Sequence, residues 1–127
     1  MSNAVLTSYP KEKINILFLE NISNKAVQAF KQHGYANVKQ INGALSEQEL
    51  IDAVKDVHLL GIRSKTQITE KVLAAATKLQ AIGCFCIGVN QVNLKAATKK
   101  GVVVFNAPYS NTRSVAELVI GASIILI

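Results

Sequence analysis

The chain has 127 residues, half of them apolar and only 17% charged, which excludes a disordered tail and is enough for one domain with a real core. Its net charge of +6 comes from 14 Lys and Arg against 8 acids, but Arg63 and Arg113 are the only arginines. The lysines are scattered over predicted helices, at Lys25, Lys31, Lys55, Lys71, Lys78, Lys95 and Lys99, without interleaved aromatics. That pattern describes solvated helix faces and excludes a nucleic-acid groove.

Taken in chain order, short apolar runs alternate with amphipathic stretches. Met1–Lys13 is polar and has no signal-peptide core. Ile14–Leu19 reads as a buried strand, and Asn21–His33 as a helix burying Ile22, Ala26, Val27, Ala29 and Phe30, with Gly34 as its stop. Asn37–Ile41 is a more polar strand, suited to a sheet edge. Ser46-Glu47-Gln48-Glu49 has the capping-box pattern and starts a helix to about Lys55 that turns Leu50, Ile51 and Val54 inward. His58–Ile62 is the third strand. Thr69 caps a helix over Glu70–Thr77, and Leu79–Cys84 is the fourth strand. Asn93 caps Leu94–Lys100, Gly101 ends it, and Val102–Phe105 is the fifth strand.

Five strands alternating with four helices predict an α/β fold, a doubly wound parallel sheet with helices on both faces. After Phe105 the rhythm breaks over Asn106–Asn111. An apolar helix then begins near Thr112 and shows no stop signal by Ile127. Residues 1–107 are therefore expected to form one domain and 108–127 the start of a long crossover helix leading onward. Glu117 interrupts Val115–Ile127, which is too short to span a bilayer, so no membrane role is expected. Its apolar residues on nearly every side predict burial in an interface.

Ligands of open parallel sheets bind beyond the carboxyl ends of the strands. Glu20–Ala26, after the first strand, contains no Gly, so neither a G-x-G-x-x-G turn nor a phosphate-cradling P-loop is present there. The third and fifth strands end in Arg63 and Asn106, where a phosphorylated receiver domain would need Asp and Lys. Arg63-Ser64-Lys65 supplies a guanidinium, a hydroxyl and an ammonium for an anionic ligand, and the amides at the strand end are a further cradle for a carboxylate. Composition alone favours the plain alternative, a surface loop with two cations. Cys84 and Cys86, at period two on one strand face, are too close to bond each other easily and too few for a structural zinc. They read as small hydrophobes in a reduced, cytoplasmic protein, with no metal site. His33 and His58 fall at a helix end and a strand start.

Three strings, GIRSKTQIT, LQAIGCFCIGVNQVNL and GVVVFNAPYSNTRSVAELVIG, together resemble the NAD-dependent D-isomer-specific 2-hydroxyacid dehydrogenases, in particular their phosphoglycerate branch. The resemblance runs from Ile14 to Ile127. It implies a flavodoxin-like substrate-binding lid of a two-domain, homo-oligomeric enzyme, joined by the crossover helix to an NAD-binding domain and to the dimer interface. The implied reaction is oxidation of 3-phosphoglycerate to 3-phosphohydroxypyruvate with NAD, the entry to L-serine biosynthesis. By the same resemblance Arg63, Ser64 and Lys65 hold the substrate, Asn106 faces it from the hinge, and Ile87 and Gly88 approach the nicotinamide end of the cofactor. Lys65 stands where close relatives often carry Arg, which keeps the charge and loses the bidentate fork. The family's catalytic Arg, Glu and His and its Gly-rich loop are expected beyond Ile127, so no catalytic residue is assigned within this span. Two alternatives stay open, a dehydrogenase for a non-phosphorylated 2-hydroxy acid and a non-catalytic binding or dimerising module.

Overall fold

A computed structural model describes residues 10–106. Five strands, β1 (Asn15–Phe18), β2 (Asn37–Gln40), β3 (Leu59–Ile62), β4 (Ala81–Cys84) and β5 (Val103–Asn106), alternate with four helices, α1 (Asn24–Gln32), α2 (Glu47–Ala53), α3 (Glu70–Ala75) and α4 (Leu94–Lys100). All strand pairs are parallel and the order is β2-β1-β3-β4-β5. This is the flavodoxin-type order. From β1 the chain runs outward to β2, then returns to the other side of β1 to lay down β3. The connections leaving β1 and β3 therefore diverge, and a crevice opens between their carboxyl ends.

The near-continuous apolar strands are explained by burial on both faces. Leu17, Leu19, Leu60, Ile62, Ile82 and Cys84 point to one side and pack on Leu50 and Val54 of the α2 region, Val72 and Leu73 of α3, and Ala96 and Ala97 of α4. The alternate residues Ile14, Ile16, Phe18, Leu59 and Ala81 point to the other side, against Ala26, Val27, Ala29 and Phe30 of α1. Each fully buried Leu, Ile or Phe contributes about 1.5–3 kcal/mol. β2 is an edge strand, and only its Val38 is partly withdrawn from solvent.

On the α1 face the aromatic rings form a ladder. Phe18 meets Phe30 and Phe85 edge-on, with centroids at 5.5 and 5.6 Å, and Phe30 meets Tyr35 at 5.5 Å. Gly61 makes room for it, because a Cβ there would lie 2.3 Å from Cδ1 of Phe18 and 3.1 Å from Cε1 of Phe85.

The caps lie where the sequence predicts them. Ser46 and Glu49 form the reciprocal capping box, Thr69 accepts from the Val72 amide, Asn93 accepts from the Ala96 amide, and Gly101 ends α4 at φ 74°. Two helices are shorter than expected, α2 stopping at Ala53 and α3 at Ala75. The larger correction is α1, which starts at Asn24 behind the Ser23 cap, not at Asn21. Glu20 and Asn21 are both left-handed, at φ 60° and 56°, and no helix runs through that conformation. Ile22 is buried as predicted, but from the loop. The crossover helix expected over 108–127 lies outside the described residues.

Candidate functional site

The site is built at the carboxyl edge of the sheet, beginning with the exit from β1. The Leu19 amide still pairs with the Gly61 carbonyl at 2.9 Å, and the Glu20 amide then donates to the Gly43 carbonyl at 2.9 Å. The left-handed turn at Glu20–Asn21 sends the Glu20 side chain sideways, across the end of β1 onto the loop after β3. There its Oε2 accepts from the amides of Arg63 at 2.7 Å and Thr66 at 3.1 Å, and its Oε1 accepts from the Lys65 amide at 2.8 Å. Three converging amides form an anion nest. Its occupant is internal, so these amides are not the open cradle for a ligand carboxylate that the sequence suggested. Glu20 is 7% exposed. Burial pushes its carboxyl pKa up, but the Lys65, Arg63 and Thr66 amides together outweigh burial and hold it below the ordinary carboxylate value.

With the amides turned inward, Arg63, Ser64 and Lys65 are exposed. They line a cleft of ≈ 370 Å³ together with Glu20, Asn21, Gly43 and Ala44. A larger cavity of ≈ 480 Å³ opens elsewhere, beside β2 and lined by Asn15, Asn37, Asp56 and Val57 among others. That cavity runs along the β1–β2 edge, from Asn15 and Asn37 at the strand starts to Ile41 just past the end of β2. The smaller cleft is at the carboxyl end, where parallel sheets bind ligands.

The loops after β4 and β5 complete the edge. Gln91, 6% exposed, donates both amide hydrogens, to the Arg63 carbonyl at 2.8 Å and to Sγ of Cys86 at 3.3 Å. Ile68 and Val92 form an isolated parallel bridge, through Ile68 N–H to the Gln91 carbonyl and Asn93 N–H to the Ile68 carbonyl, both at 2.9 Å. The 63–66 loop is thus held by Glu20 on one side and by the Gln91 segment on the other. Asn106, at the end of β5, donates its side-chain amide to the Ile87 carbonyl at 2.7 Å. The Cys86 thiol donates to the Gly88 carbonyl at 3.2 Å. The six residues singled out in the sequence therefore fall into two groups on one edge, Arg63–Lys65 and Ile87–Gly88 with Asn106. Glu20, which holds the first group, and Gln91, which links it to the loop of the second through Cys86, escaped the sequence reading. Its only hint of them was a carboxylate close behind the first apolar strand and an amide in the loop after the fourth.

The remaining candidates stand apart. β4 ends at Cys84, so Cys86 lies in the following loop and not on the strand as expected. Cys84 is buried and its thiol is pushed up to about 12, chiefly by burial, with the charges of Cys86 and Glu20 adding to the effect. Among the described residues no group of three His, Cys, Asp or Glu could hold a metal ion. His33 closes α1, its Nδ1 2.8 Å from the Ala29 carbonyl. His58 precedes β3, and its Nδ1 accepts the Asn15 amide at 3.0 Å, at the opposite end of the sheet from the cleft. Among the described residues no helix is long and apolar enough to cross a membrane.

Comparison with known proteins gives the class. Residues 16–121 match the family described as D-isomer specific 2-hydroxyacid dehydrogenase, catalytic domain, and the chain belongs to that family. The more particular likeness is to D-3-phosphoglycerate dehydrogenases. The chain is 52% identical to that of Escherichia coli (strain K12) over 120 residues, covering 94% of this chain and 29% of the relative. It is 58% identical to D-3-phosphoglycerate dehydrogenase 2 of Saccharomyces cerevisiae over 113 residues, covering 89% of this chain and 24% of the relative. The chain thus spans less than a third of the length of these curated relatives. A solved structure of cofactor(NAD+)-bound 3-phosphoglycerate dehydrogenase from Entamoeba histolytica superposes with a TM-score of 0.68 at 24% identity, over 85% of this chain and 37% of that one. At that identity the match speaks for the fold.

Ile87 is 64% exposed, an apolar side chain held out at the carboxyl edge, and Gly88 beside it is exposed, with Oδ1 of Asn90 3.0 Å from where a Cβ would lie. No Gly-rich strand-to-helix turn for a pyrophosphate exists among the described residues.

Proposed function

We propose that this chain is the substrate-binding portion of a cytoplasmic, homo-oligomeric, NAD-dependent D-3-phosphoglycerate dehydrogenase acting in L-serine biosynthesis. The observation that carries the proposal is the Arg63-Ser64-Lys65 loop, exposed over a cleft at the carboxyl edge of the sheet with its backbone tied down behind it. Its substrate, 3-phosphoglycerate, carries a carboxylate at one end and a phosphate at the other. Arg63 offers a planar fork for bidentate hydrogen bonding to either group. Ser64 adds a hydroxyl donor, and Lys65 adds charge without the fork.

NAD accepts the hydride when bound. The residues of this span that would meet it are Ile87, whose side chain suits the face of the nicotinamide ring, and Gly88, whose backbone admits it closely. Asn106 holds the Ile87 carbonyl and so ties the cofactor-facing loop to the last strand of the sheet. Proton transfer is assigned to the remainder of the enzyme, and closure of this lid over the cofactor excludes water from the hydride path.

The test is kinetic and uses the full-length enzyme. Arg63→Ala is expected to raise KM for 3-phosphoglycerate at least about tenfold, the weight of a charge-assisted bidentate pair. An unchanged KM would refute the assignment. Turnover of D-lactate or glycerate in preference to 3-phosphoglycerate would move the enzyme to the non-phosphorylated branch of the family.

A further inference from the structure

Both carboxylate oxygens of Glu20 serve the loop that carries Arg63, Ser64 and Lys65, although Glu20 lies on a different strand end. Burying a carboxylate is unfavourable unless its lone pairs are satisfied. Here three amides satisfy them at 2.7, 2.8 and 3.1 Å, and the backbone adopts two consecutive left-handed residues to bring the group there. A carboxylate is the acceptor-only side chain that matches three converging donors. A glutamine of the same shape would set its own NH2 against one of them.

The occupied nest has a consequence for ligand binding. An incoming anion finds the amides of Arg63, Lys65 and Thr66 already committed, so its negative groups must be met by side chains. Saturating those amides also fixes the turn so that residues 63–65 face the cleft. We propose that Glu20 is a positioning residue for the substrate. It anchors the loop from behind and presents the Arg63, Ser64 and Lys65 side chains, in place of the main chain, to the anionic groups. The proposal rests on the reading of this cleft as the substrate site.

The experiment compares full-length wild type, Glu20→Gln and Glu20→Asp. The readouts are kcat, the KM for 3-phosphoglycerate and for NAD, hydrogen–deuterium exchange of the 62–67 segment, and the melting temperature. Glu20→Gln is expected to speed exchange over that segment and raise KM for 3-phosphoglycerate by about tenfold, the weight of roughly one hydrogen bond to a charged group. The expected kcat stays within about threefold and the KM for NAD does not change. Glu20→Asp, which keeps the charge and shortens the reach, is expected to fall between Gln and wild type. Faster exchange or a lower melting temperature with an unchanged KM would make Glu20 merely structural and overturn the proposal. If Glu20→Gln does not fold, Glu20→Asp decides by the same split of KM against kcat. If the wild type oxidises D-lactate and not 3-phosphoglycerate, the substrate reading falls, and the positioning role is decided by the same comparison with D-lactate.

Discussion

Asn106 illustrates how a contact can shift the meaning of a residue. Family resemblance gives it a place facing the substrate, yet in the fold its amide donates to the Ile87 carbonyl at 2.7 Å. That bond joins the end of β5 to the loop proposed to meet the nicotinamide. In the full-length enzyme Asn106→Ala removes the donor and loosens Ile87. It is expected to raise KM for NAD about threefold to tenfold, the weight of one hydrogen bond. Steady-state kinetics with NAD varied would check this, and an unchanged KM for NAD would return Asn106 to a purely substrate-facing role.

Among the elements, β3 carries the tightest constraint. Its Gly61 sits under the edge-to-face contact of Phe18 and Phe85, and any Cβ there would collide with the Phe18 ring. Gly61→Ala is therefore expected to destabilise the fold by about 1–3 kcal/mol, as overpacking does in a tight core. Urea denaturation would measure the loss. Because Phe18 ends β1 two residues before Glu20, a displaced ring would also disturb the carboxylate that holds the 63–66 loop. Packing on the α1 face and the geometry of the cleft at the carboxyl edge are coupled through that short segment.

At the scale of the molecule, two buried groups among the described residues contribute to the acid limb of stability. His58 Nδ1 accepts the Asn15 amide, so protonating that nitrogen would set a donor against a donor. Burial holds its pKa below the ordinary 6.5, the charge of Lys78 adds to this, and Asp56 opposes it. The neutral form is thus favoured in the fold. Its stabilisation is complete above pH 6.5 and is lost as pH falls from there through the folded value. Glu20 loses its contribution in a lower window, as pH falls from the ordinary 4.5 through its own depressed value. The urea midpoint is expected to drop between about pH 7 and about pH 5, and His58→Gln, which keeps an acceptor and cannot titrate, should flatten that drop. A wild-type midpoint constant over this range would contradict the assignment.

Local chemistry made much of this fold legible in the residues themselves. Apolar runs such as Ile14–Leu19 announce strands buried on both faces, and Ser46, Thr69 and Asn93 mark helix starts, because a cap bonds an amide only two or three residues away. The polarity of Asn37–Gln40 was sufficient to place it at the edge. The cationic loop and its candidate anionic ligand were visible too, since guanidinium and ammonium groups keep their chemistry in any fold. Tertiary structure alone decided what lies behind that loop. Glu20 reaches amides 43, 45 and 46 residues away, and Gln91 a carbonyl 28 residues away. Such bonds exist only because β1 and β4 both flank β3. Asn21, read as the first residue of the helix, instead shares a left-handed turn with Glu20. Periodicity reports which side of an element is apolar. It carries no record of which distant strand end will be its neighbour, and that adjacency is what turned an open amide cradle into an internally occupied one.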